Sequence, residues 1–352
     1  MFITGLGTAT PRNRYTQSQC WEAFQRAAQF ARLDRRARAT LQRVLLGDNG
    51  IHMRSLALDT LDEVFAADSD TLHRRFARHA PELASRAATG ALAQAGLQAQ
   101  DVDAVIISTC TGYLCPGLTS YVAERLGLRS NALALDLVGQ GCGAALPNLR
   151  TAEALLAADR CATILSICVE ICSAAFYLDN DPGVLISACL FGDGAGAAVL
   201  SAVPNSEGPR VEWKTACSLN NPAERDALRF EQRDGMLRNI LTPQVPALAA
   251  QHAEIVLNDV LENEGLSRNE ISTWIWHAGG RNVLKALCAT LRLTAADVQR
   301  SSKVLSEFGN VSSPFVYFVL QEALRDNAPE GWWWMSSFGA GFSCHGALLK
   351  VA

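Results

Sequence analysis

A faint internal repeat limits the folds open to this chain. Residues 81–107 read as a helix, then Gly96-Leu97, a short polar turn, and a strand from Asp101-Val102 through Val105-Ile106-Ile107. Residues 248–276 follow the same grammar: a helix, Gly265-Leu266, a polar turn, then Glu270-Ile271 running into Trp274-Ile275-Trp276. In both copies the glycine precedes the acidic residue by five positions. A helix C-cap glycine followed by a buried strand explains each copy alone. The same spacing found twice points to a duplicated α/β unit.

The rest of the chain fits two such units. Ala132–Val138, Ala162–Val169, Ala195–Leu200 and Cys344–Val351 are short apolar runs with flanking turns, the pattern of buried strands. Helical patterns fall at 144–157, 281–292 and 314–326, and alternation of strands with helices predicts a mostly parallel sheet covered on both faces. At 352 residues the chain exceeds the ~250–300 at which a single core stops growing, so two halves are expected. The linker-like segment 203–210 sets them at 1–205 and 206–352, with 16–80 as a helical cap over the first. Trp332-Trp333-Trp334 reads as an apolar strand rather than a ligand-stacking platform.

Composition excludes several functions. A net charge of -4 argues against a broad basic surface for nucleic acid or anionic lipid. No apolar run approaches the ~18 residues of a membrane span, and the N-terminus lacks the pattern of a secretion signal. A cytoplasmic location is expected. The eleven cysteines are scattered without paired CxxC units, so no metal site is expected, and most read as small buried hydrophobes.

Cys142 is the exception. Asp136-Leu137-Val138-Gly139-Gln140-Gly141-Cys142-Gly143 takes a strand through a Gly-x-Gly turn and places a cysteine where a helix begins. Free N–H groups and the helix dipole favour an anion there, the setting of a thiolate nucleophile. The bland alternative is that Gly141 and Gly143 only permit close packing. His277 ends the strand Trp274-Ile275-Trp276 and precedes Ala278-Gly279-Gly280. Strand C-terminal ends are where α/β sheets bind ligands, although a lone histidine there is as often structural. Asn310, in Glu307-Phe308-Gly309-Asn310-Val311-Ser312-Ser313-Pro314, reads either as a helix N-cap or as a neutral donor to an oxyanion.

Together these segments resemble the chalcone synthase-like, or type III, polyketide synthases of the thiolase superfamily. Further likeness lies in Gly7-Thr8-Ala9-Thr10-Pro11, in Cys110-Thr111-Gly112 with Pro116-Gly117, and in Phe191-Gly192-Asp193-Gly194-Ala195. His277-Ala278-Gly279-Gly280 is similar to the His-Pro-Gly-Gly motif with one substitution, and Phe338-Gly339-Ala340-Gly341-Phe342 to the C-terminal glycine loop. The resemblance implies a thiolase-like fold of two duplicated α/β halves layered α-β-α-β-α. It implies a homodimer that condenses malonyl-CoA onto an acyl starter held on Cys142, with His277 and Asn310 as oxyanion donors. Acyl-CoA and malonyl-CoA are then substrates, an acyl carrier protein is an alternative donor, and no metal or redox cofactor is required.

The resemblance also implies a pocket lined by Phe191, Asn239, Cys110, Cys115, Gly339, Gly341 and Phe342. Asn239 stands where the family carries a second gatekeeper phenylalanine, which predicts a wider or wetter pocket mouth. Thr40 and Gly47 stand near positions of family lysines, leaving Arg43 as the CoA-binding candidate. Cys110, near a position often threonine in chalcone synthases, argues against a plant-like aromatic starter, and an aliphatic fatty acyl starter with a pyrone or resorcinol product is expected. Two rivals stand beside this reading. An initiating ketoacyl-ACP synthase would condense once, but its usual His-Gln-Ala-Asn is absent here. A catalytically silent dimer partner would have had no need of the complete Cys-His-Asn set.

Overall fold

The two glycines of the repeat do the same structural work. In the computed structural model, which describes residues 1–65, 68–205 and 208–352, they cap the helices Ser69–Ala95 and Val245–Glu264. Gly96 and Gly265 adopt φ 67° and 66°, a left-handed conformation that costs glycine little. Leu97 N–H then donates to Leu92 O at 3.0 Å, and Leu266 N–H to Leu261 O at 2.8 Å. The acid five positions on closes a one-turn helix in each copy. Asp101 accepts from Gln98 N–H and Glu270 from Ser267 N–H, both at 2.8 Å.

Nine strands form the main sheet: β1 (Phe2–Ala9), β2 (Ala104–Ser108), β3 (Leu133–Leu137), β4 (Thr163–Glu170), β5 (Gly194–Ser201), β6 (Val211–Arg225), β7 (Ile271–Trp276), β8 (Gly331–Gly339) and β9 (Gly341–Val351). Their spatial order is β7-β8-β9-β6-β1-β5-β4-β2-β3. The duplication is visible in that order. In the first half β2 lies parallel to β4, β4 antiparallel to β5, and β5 antiparallel to β1. In the second half β7, β8, β9 and β6 follow in the same sequence and the same senses. The halves join where Phe2 and Ile3 pair with Glu212 and Val211. The expected boundary between 205 and 206 abuts residues 206–207, outside the described residues.

Two expectations are corrected. The sheet is mixed and mostly antiparallel, with parallel pairing confined to β2–β3, β2–β4 and β7–β8. Only Ala340 separates β8 from β9, and a connection that short forces an antiparallel return. Ala132–Val138 was expected to be buried, but β3 is a sheet edge and largely exposed, with Leu133 at 40%. Among the described residues its one in-plane neighbour is β2.

The layers follow from helix packing. Ala145–Ala157 and Phe315–Arg325 touch strands of both halves and form a central helical layer. Ser69–Ala95 and Leu118–Leu126 cover the first half-sheet, and Val245–Glu264 covers the second. The order is therefore α-β-α-β-α. Trp333 and Trp334 are fully buried in β8, as the apolar-strand reading predicts. Gln17–Arg26, Ala28–Arg32 and Arg35–Leu46 form the helical cap, which stops short of the expected residue 80: Met53–Ser55 pairs as a strand with Arg14–Thr16, and Ser69 begins the helix on the first half-sheet.

Candidate active site

Both central helices begin at one place, and the candidate residues lie at their starts. Beyond β3 the chain turns through Gly139 and Gly141, at φ 84° and 57°, and Cys142 occupies the single 3₁₀ turn before Ala145–Ala157. The turn also needs glycine for close packing, since a Cβ on Gly141 would sit 2.9 Å from Ala340 N. Asn310 lies ahead of the other central helix. It is not that helix's cap, because Pro314 takes the N-cap position. Instead its backbone pairs with the Phe191 segment, Asn310 N–H donating to Leu190 O at 2.9 Å and its carbonyl accepting from Gly192 N–H at 3.0 Å. His277 follows β7 directly, held by its N–H to Ser336 O at 2.9 Å.

The amide of Asn310 fixes the histidine tautomer. Its Nδ2 donates to Gly279 O at 3.2 Å and its Oδ1 accepts from Ser312 N–H at 2.9 Å. Since Oδ1 only accepts, His277 Nε2, 3.2 Å away, must carry the proton. His277 is 3% exposed, and burial pushes its pKa down to about 4 against the opposing pull of the Asn310 hydrogen bond. The ring is a neutral donor at physiological pH.

Ser312 and Glu170 complete the surroundings of the thiol. Ser312 Oγ donates to Cys142 Sγ at 3.1 Å. Ser312 itself holds φ 60°, a strained conformation for a residue with a side chain. Glu170, fully buried at the end of β4, accepts from Thr111 Oγ1 at 2.9 Å, Cys110 N–H at 3.0 Å and Ser312 Oγ at 3.4 Å. Burial raises its pKa despite those donors.

Cys142, His277, Asn310, Phe191 and Phe338 line one cavity of about 680 Å³, with Arg43, Asp48 and Arg281 at its exposed rim. Other predicted pocket residues fall elsewhere. Cys110 lies on the far side of Cys142 and lines a separate cavity of about 360 Å³. Cys115 is exposed on the surface rather than in the pocket. Gly339 brings its backbone against Gln140 and Gly143, supporting the nucleophile turn, and Phe342 packs on His252 at 5.4 Å. Gly341 is exposed at the β9 end, and Phe338 faces the cavity instead. The wide mouth expected at Asn239 is not formed. Asn239 is buried, and the space it shares with Phe176, Phe191 and Phe230 is only about 10 Å³.

Glu170, Ser312, Phe338 and Arg281 carried no assignment from sequence. Signals were present: an acid ending the apolar run of β4, and an arginine directly after Gly279-Gly280. Among the described residues no group of three or more His, Cys, Asp or Glu is placed to hold a metal ion.

The chain is similar to known proteins along nearly its whole length. Residues 1–204 match the family described as chalcone and stilbene synthases, N-terminal domain, and 221–351 match its C-terminal domain. A 3,5-dihydroxyphenylacetyl-CoA synthase of Streptomyces toyocaensis is 31% identical, over 99% of this chain and 89% of its own length. A 1,3,6,8-tetrahydroxynaphthalene synthase of Streptomyces peucetius subsp. caesius is 28% identical, over 99% and 92%. PKS-I of the brown alga Ectocarpus siliculosus superposes with a TM-score of 0.91 at 24% identity, covering 99% of this chain and 98% of its own.

Proposed function

The chain belongs to the chalcone and stilbene synthase family of type III polyketide synthases, and from that premise we propose that Cys142, His277 and Asn310 are its catalytic residues. One observation carries the assignment: three loops from both halves bring a thiol, a neutral imidazole and an amide to a single cavity. Cys142 thiolate attacks the starter thioester carbonyl, forms a new thioester and expels CoA thiolate. Malonyl-CoA then loses carbon dioxide, and the electron pair of the broken C–C bond moves onto the thioester oxygen as an enolate. His277 Nε2–H, turned from Asn310 Oδ1 to the substrate, and the second N–H of Asn310 Nδ2 stabilise that oxygen. The enolate carbon attacks the acyl–Cys142 thioester, and Cys142 leaves as thiolate. CoA thioesters are substrates, and the chemistry calls on no metal or redox cofactor.

The named relatives support repeated extension toward an aromatic polyketide. The aliphatic acyl starter expected from the sequence would occupy the cavity of about 680 Å³ beside Cys142. The exposed edge of β3 supports a homodimer formed by a second copy. Among the described residues no helix is long and apolar enough to cross a membrane; the unpaired cysteines support the cytoplasm.

Intact-mass measurement after incubation with acyl-CoA, followed by malonyl-CoA decarboxylation, tests the catalytic assignment. Cys142→Ala should take up no acyl group. His277→Ala and Asn310→Ala should load but release carbon dioxide at least ~100-fold more slowly. Loading that persists in Cys142→Ala refutes the nucleophile.

A further inference from the structure

The condensation chemistry leaves one thiol beside the nucleophile unused. Ser312 Oγ lies 3.1 Å from Cys142 Sγ and 3.7 Å from Cys110 Sγ, so one hydroxyl touches both sulfurs. Cys110 is fixed by its backbone N–H to Glu170 Oε2 at 3.0 Å, and its Sγ lies 3.3 Å from Glu170 Oε1. Cys142 is fixed by the glycine turn. We propose that Cys110 is a resolving cysteine, and that peroxide converts the Cys110–Cys142 pair into a reversible disulfide that protects the nucleophile from permanent oxidation.

The geometry supplies each participant. Cys142 lines the 680 Å³ cavity, through which a molecule as small as hydrogen peroxide reaches it. Its thiolate attacks one peroxide oxygen, the O–O bond breaks, and a sulfenic acid and hydroxide form. Cys110 sulfur then attacks the Cys142 sulfur. The S–S bond forms and the second hydroxide leaves. The Cys110 proton passes to Glu170 and on to one hydroxide, and the proton that Cys142 shed on becoming a thiolate returns to the other, so two thiols are oxidised by two electrons and peroxide is reduced to two waters. Hydrogen bonding to Cys142, with burial and the Glu170 charge adding to it, holds resting Cys110 as a protonated thiol. It therefore stays out of acyl transfer until a sulfenic acid appears beside it. A dithiol reverses the reaction by thiol–disulfide exchange.

The inference rests on Cys142 being the reactive thiol of the proposed function, but its main readout needs no turnover. Reduced protein is treated with hydrogen peroxide, weighed intact, digested without reductant for peptide mapping, then treated with dithiothreitol and tested for acyl loading. The expected result is a mass loss of about 2 Da, a Cys110–Cys142 linked peptide, and loading lost then restored. In Cys110→Ser, peroxide should add about 32 or 48 Da at Cys142, with loading not restored. Oxygen gain by the wild-type protein, or a disulfide to Cys172 or Cys115 instead, overturns the proposal. The wild-type mapping decides alone if the variant does not fold. Untreated protein that never loads acyl would instead fail the catalytic reading.

Discussion

His277 and His345 are both kept uncharged by burial, which pushes each down to about 4. For His345 the nearby Arg150 guanidinium adds to the effect. An unfolded histidine titrates near 6.5. Each native ring thus contributes stability that is fully present above about 6.5 and is lost as pH falls through about 4. The slope per group is roughly 1.4 kcal/mol per pH unit within that window. Buried Glu170 and Asp193 act with the opposite sign, since burial raises both, so the whole-protein curve mixes these effects. Comparison with His345→Gln isolates one of them. Urea unfolding at pH 7, 6 and 5 should show the stability advantage of wild type over the variant shrinking below about 6.5. An advantage constant across that range would mean that His345 is not held neutral by its surroundings.

At the scale of elements, β3 carries the clearest consequence. It pairs with β2 on one side and leaves its other edge open, and an apolar open edge invites a strand from another chain. Light scattering should report a dimer. Leu133→Lys should weaken that dimer at least roughly tenfold, because a lysine must be desolvated there without a partner. A wild-type monomer would refute the strand pairing. Here the limits of sequence reading also show. Gly96 with Asp101 and Gly265 with Glu270 were legible because cap and capping acid lie within one turn of chain. Cys142 and His277 were legible because each ends a strand unit. The exposure of β3 was not, since Leu-Ala-Leu-Asp-Leu has core composition and only the strand order makes it an edge. Phe230 was not, because it fills the space beside Asn239 by facing it across the hairpin of Leu228–Arg233 and Met236–Leu241. Glu170 was not, because its donors come from loops 59 to 143 positions away.

At the scale of the molecule, the cavity opens where the two halves meet, and its rim draws charge from both. Arg43 and Asp48 come from the helical cap and its following loop, and Arg281 from the second half beside His277. Arg281 donates to Asp48 O at 3.0 Å and forms an ion pair with the Asp48 carboxylate. Among the described residues lining the cavity, Arg43 and Arg281 are the two arginines, and Arg281 would grip a CoA phosphate together with Arg43. Asp48 would compete with that phosphate for the same guanidinium. Arg281→Ala should therefore raise KM for malonyl-CoA about tenfold with kcat within about twofold, the signature of lost ground-state binding. Asp48→Asn should lower that KM. A malonyl thioester of N-acetylcysteamine lacks both nucleotide and phosphates, so its turnover should be indifferent to either change. If Arg281→Ala slowed both donors equally, the arginine would instead be holding the His277 loop in place, and recognition of the CoA phosphates would fall to Arg43.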